Sequence, residues 1–187
     1  QLEATTGLIE TSIVIRESTQ ADWNHALATF TVDTTNDVIN AGDGVTSLRE
    51  AIVAANAAAG TDTIVFNISA PLVGGVHTIT LAYDGPDAGT VPDALPVITQ
   101  ALIIDGTSEP DFAGTPVIEL NGNNVAGAKG LELGAGSSGS TIKGLTINRF
   151  TGTGIEISGS NNHTIQGNWI GLNAAGTAAS ANGVKGI

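Results

Sequence analysis

The sequence contains no cysteine and no methionine, only 4% aromatic residues and only six Lys plus Arg among 187 residues. Without cysteine there are no disulfides, no thiol nucleophile and no Cys-ligated metal. The missing methionine, at position 1 included, is what a processed product or an excised piece shows, and Gln1 fits the residue left by signal-peptide removal. So few bases leave no basic patch, so neither nucleic acid nor an anionic membrane is an expected partner. No apolar run reaches the length of a membrane-spanning helix, so no membrane insertion is expected in this segment. Histidine is scarce as well, and the scatter of His25, His77 and His163 argues against a zinc site.

What is present is glycine, 25 residues of it, with abundant Thr, Asn and Ile. That mixture predicts many short strands joined by turns, as in an ordered extracellular β protein. The formal net charge of −12 is uneven: residues 1–111 carry −13 and residues 112–187 carry +1. The acidic head can attract cations or simply keep the surface solvated.

Along the chain, Leu8 to Arg16 reads as a β-branched strand and Phe30 to Asp33 as a second. Ser47-Leu48-Arg49-Glu50 has the form of a capping box, Leu48, Ile52 and Ala55 share one helical face, and Gly60 suits a C-terminal stop. The spacing predicts a helix over 47–58. Strands are predicted near 63–68, 76–82 and 97–104.

From about residue 100 a repeat dominates. Gly130-Leu131-Glu132-Leu133 and Thr141-Ile142-Lys143-Gly144 return as Gly154-Ile155-Glu156-Ile157 and Thr164-Ile165-Gln166-Gly167, and Gly186-Ile187 begins a third copy. Val117-Ile118-Glu119-Leu120 matches the first motif and Ile104-Asp105-Gly106 the second. Side chains alternate along a strand, so the apolar residues face inward and the glutamates outward. Stacked copies then make interior columns, with Gly144 and Gly167 at corners that tolerate no Cβ. The expected fold is all-β, a parallel β-helix (solenoid), with residues 173–182 extruded as a loop. A β-sandwich with coincidental similarity is the alternative.

Asp43 to Ile52, Asp-Gly-Val-Thr-Ser-Leu-Arg-Glu-Ala-Ile, resembles the CSLREA motif of bacterial surface proteins, and Phe30-Thr31-Val32-Asp33 precedes it at the matching distance. Thr115 to Gly122 and Gly167 to Thr177 are also similar to that family, while Thr46 stands where its name-giving cysteine would be. The resemblance implies a secreted, cell-surface protein built on a right-handed parallel β-helix, with an N-terminal cap containing one short α-helix. It makes residues 30–99 the cap and 100–187 the β-helix repeats, while residues 1–29 fall outside it as an extension offering a strand for exchange. Arg49 and Glu50 are then structural residues.

Three sets of candidate site residues follow. Glu119, Glu132 and Glu156 form an exposed acidic column, open to calcium, to a sugar or to water alone. Asp33, Asp37 and Asp43, with Asn36, make an oxygen-rich loop suited to calcium or to plain Asx turns. Leu8, Ile9, Ile13, Val14 and Ile15 at one end, and Val184 and Ile187 at the other, are the candidates for self-association. Asp105 and Lys143 are placed to pair, and no catalytic residue and no cofactor other than calcium is expected. The functional expectation is a non-enzymatic structural or adhesive module, joined head to tail to copies of itself by β-augmentation or continued by further repeats. A polysaccharide-binding or polysaccharide-degrading β-helix is the alternative, with glycans as partners.

Overall fold

A computed structural model describes residues 27–82, 93–123 and 125–187. The strand expected at 8–16 therefore lies outside the described residues. The described elements run β1 (Thr29–Val32), α1 (Leu48–Ala57), β2 (Asp62–Phe66), β3 (His77–Thr80), β4 (Leu102–Asp105), a 3-10 turn (Gly106–Ser108), β5 (Ile118–Asn121), β6 (Leu131–Leu133), β7 (Thr141–Lys143), β8 (Leu145–Asn148), β9 (Ile155–Ile157), β10 (Thr164–Gln166) and β11 (Trp169–Ile170). Strands thus make up most of the regular elements among the described residues, with one α-helix beside them, as the all-β expectation required.

The strands form three open sheets, ordered β1-β2-β4-β7-β10, β11-β8-β5-β3 and β6-β9. Every strand pair is parallel. In the first sheet the register stacks Phe30, Ile64, Ile104, Ile142 and Ile165 in one ladder. In the second it stacks Ile79, Leu120, Ile147 and Ile170. Ile64, Ile104, Ile142 and Ile147 are fully buried, and one hydrophobic core joins these ladders to Leu131, Leu133 and Ile155 of the third sheet. Like-on-like stacking is what alternation and a fixed strand spacing of about 4.8 Å dictate once equivalent strands are parallel. The first sheet crosses the expected boundary at residue 99 without a break, since β1 and β2 pair onward to β4.

Helix α1 begins as expected. Ser47 Oγ accepts the Glu50 amide at 3.1 Å, and Glu50 Oε2 accepts the Ser47 amide at 2.8 Å. Leu48, Ile52 and Ala55 are all buried on the inner face, against β1 and β2. The strand predicted over 97–104 is split. Ile98 pairs with Leu133 and so joins the third sheet, whereas β4 starts at Leu102, whose amide bonds to Ser140 Oγ. The chain turns a corner between them, and hydrophobicity alone does not mark that corner. The pairing of β2 with β4 ends at Val65, and beyond it side chains take the amides, Ser108 Oγ that of Phe66 at 2.7 Å and Glu109 Oε2 that of Ile68 at 3.0 Å.

Gly144 and Gly167 occupy left-handed positions, φ 69° and 63°, at equivalent corners. The extra residues near 173–182 form a loop closed by an antiparallel Leu172–Ala179 bridge, with Gly176 seated on the Trp169 ring.

Candidate functional site

Glu132 and Glu156 are register partners on β6 and β9. Lys129 lies between them, its Nζ 2.6 Å from Glu156 Oε1 and 2.9 Å from Glu132 Oε2. Hydrogen bonds to Glu156 and then Glu132 hold the Lys129 ammonium above its ordinary pKa of 10.5. The like-charge repulsion expected of this column is relieved by that bridging cation.

Glu119 does not belong to the column. It sits on β5, paired with Thr78 on one side and Thr146 on the other, in a different sheet. It is also not exposed: only 8% of its surface is accessible. Its Oε2 accepts the Thr78 hydroxyl at 2.7 Å and its Oε1 the Asn148 amide at 2.8 Å. An apolar-Glu-apolar triplet fits any strand with one buried face, so the pattern could not say which sheet it occupied.

The three aspartates named as candidates for calcium or for plain Asx turns each accept hydrogen bonds from the protein. Asp33 Oδ1 accepts the Thr46 amide at 2.7 Å, and Asp43 Oδ1 accepts the Val45 amide at 3.1 Å. Asp37 forms a buried fork with Arg49, at 2.7 Å to Nε and 2.9 Å to Nη2, and also accepts the Ala82 amide. Asp37 is thus an arginine partner that ties the loop to α1, and the carboxylates serve turns and caps as Asx residues commonly do.

Asp105 and Lys143 pair across β4 and β7 as their spacing suggested, at 2.8 Å. Burial pushes the Asp105 carboxyl up, but the Lys143 ammonium and the Thr107 hydroxyl and amide outweigh it and hold it below the ordinary 3.8. Of the self-association candidates, Leu8, Ile9, Ile13, Val14 and Ile15 lie outside the described residues. Val184 and Ile187 are 66% and 55% exposed and line a shallow cleft with Ile155, Glu156 and Ile157. The amides of Gly154 and Ile155 bond to the carbonyls of Lys185 and Gly186, so the third copy does stack on the second.

One cluster escaped sequence reasoning. His77 on β3 is 2% exposed, and neither ring nitrogen has a hydrogen-bond partner. Its Nε2 lies 3.8 Å from Glu109 Oε1 and 3.5 Å from Asp111 Oδ2. Ligand atoms of these three residues all fall within 4.8 Å of one another. The only hint in the sequence was a histidine at an inward position of a strand, since Val76 and Ile79 do not declare that their neighbour is buried. The acids reach it because β3 pairs with β5, which brings the turn after β4 over the His77 end of that strand.

No family model, no curated protein and no solved structure matches the chain. Among the described residues no helix is long and apolar enough to cross a membrane.

Proposed function

We propose that the chain is a non-enzymatic structural module, a right-handed parallel β-helix of the kind found at bacterial cell surfaces, which associates head to tail with copies of itself. The observation that carries this reading is the in-register parallel stacking of equivalent residues, the Phe30–Ile64–Ile104–Ile142–Ile165 ladder above all. Successive parallel strands of one sheet are joined by crossovers, and such crossovers are right-handed in nearly all proteins. The three sheets then serve as the faces of one coil, and residues 30–99 as its cap.

Head-to-tail association rests on two features. Among the described residues β10 and β11 are edge strands, with unpaired backbone on their outer side and exposed apolar groups at Val184 and Ile187 nearby. Such an edge recruits another strand. The charge division favours one orientation: a contact between residues 1–111, at −13, and residues 112–187, at +1, avoids opposing two acidic halves. Glu132 and Glu156 share Lys129, which suits a column that holds the surface together rather than one that divides acid and base roles.

Negative-stain microscopy of the purified chain tests the assembly. Elongated particles that vanish when residues 1–20 are removed are expected. A monodisperse monomer with or without those residues overturns head-to-tail association. Turnover of an acidic polysaccharide, lost in Glu132→Gln or Glu156→Gln, would replace the structural reading with an enzymatic one.

A further inference from the structure

We propose that His77, Glu109 and Asp111 form a binding site for one divalent transition-metal ion, with Zn2+ the best match. The histidine is the reason to look here. It is buried, both ring nitrogens lack partners, and buried polar groups are almost always satisfied. Nε2 faces two carboxylate oxygens at 3.5 and 3.8 Å, beyond good hydrogen-bond length. Those separations suit shared coordination. Two ligand atoms each about 2.1 Å from one tetrahedral ion lie about 3.4 Å apart.

The carboxylates are arranged for that task. Glu109 Oε2 is fixed by the Ile68 amide at 3.0 Å, which leaves Oε1 directed at His77. A backbone donor on the far oxygen is how ligating carboxylates are usually oriented. The Glu109 side chain is only 2% exposed, whereas that of Asp111 is 52% exposed. An ion would thus be gripped by two buried groups and closed over by one at the surface, with water free to complete the shell from the Asp111 side. One imidazole with two carboxylates fits zinc, and a single nitrogen with so few oxygens is a poor calcium site.

The site joins β3 to the turn that follows β4, so binding reads out as stability. It is independent of the proposed structural role, since a metal clamp serves an enzyme or a scaffold equally.

The test uses the full chain, stripped with chelator and titrated with ZnCl2 by calorimetry, with thermal melting in parallel. One equivalent of zinc is expected to bind and to raise Tm, and chelator is expected to reverse the rise. Asp111→Asn, at an exposed position that leaves the core intact, is expected to weaken binding by at least about tenfold and to abolish the Tm rise. His77→Gln is expected to remove binding, and CaCl2 to give neither heat nor stabilisation at these concentrations. The proposal is overturned if zinc shows no saturable binding, if calcium binds in its place, or if zinc affinity is unchanged in Asp111→Asn. The last result would place any zinc binding outside the His77, Glu109 and Asp111 cluster.

Discussion

Arg49 is 3% exposed, and it is held on every side. Its fork takes both oxygens of Asp37, and Nη1 and Nη2 also reach the carbonyls of Ala94 and Asp93 at 2.7 and 2.9 Å. One side chain therefore anchors the 33–43 loop, α1 and the segment before Ile98. Removing it strands a buried carboxylate and two carbonyls, so Arg49→Ala is expected to cost about 3–5 kcal/mol in denaturant unfolding. Arg49→Lys keeps the charge but cannot present the planar fork, and should recover less than half of that loss. Full recovery by lysine would mean that charge alone matters. The same pair explains why the partner of Asp37 was not legible in the sequence. An Asx-rich loop reads alike whether its oxygens face an ion, an amide or an arginine twelve residues on.

At the scale of elements, strand stacking depends on backbones that approach closely at repeated positions. A Cβ on Gly130 would strike the Gly154 carbonyl oxygen and Ile147 Cγ2, and one on Gly154 would meet Ile170 Cγ2 at 2.9 Å and the Gly186 carbonyl at 2.8 Å. Gly130→Ala is therefore expected to push β6 away from β9 and to destabilise by about 2–4 kcal/mol, within the range of overpacking plus lost pairing. Gly139→Ala meets no neighbouring atom and carries only the backbone strain of φ 86°, about 1–2 kcal/mol. Equal melting temperatures for the two variants would contradict close stacking at Gly130. These elements also show where sequence reasoning reaches its limit. The capping box at Ser47, the corner glycines and the Ile104–Ile142–Ile165 column were legible because each depends on local chemistry repeated at a fixed spacing. The sheet to which Glu119 belongs was not, because β5 finds its neighbours in β3 and β8 across unequal connections. The His77 cluster was illegible for a related reason: its acids come from another turn of the chain, and only the register joins them.

For the whole molecule the excess of acid over base makes low pH the informative stress. Two carboxyls with partners in the folded state fix the sign. Burial pushes Glu50 up, but the backbone amides of Ser47 and Asn40 and the Ser47 side chain outweigh it, leaving it below the ordinary 4.5. Asp105 lies below 3.8 through Lys143 and Thr107, again against burial. A carboxyl whose folded pKa is depressed stabilises the fold fully above its unfolded value, and that contribution disappears as pH falls through the folded value. Melting temperature should therefore be level through neutral pH and fall below about pH 4.5, where the unfolded chain begins to bind protons that the fold refuses. Asp105→Asn separates this effect from general acid damage. The variant should melt lower than the parent at pH 7, where it lacks the Lys143 pair, and the gap should narrow as acid protonates the parent's Asp105. A gap that stays undiminished however far the pH is lowered would assign the loss to side-chain packing, and the cross-strand ion pair would then contribute nothing to the stacking of β4 on β7.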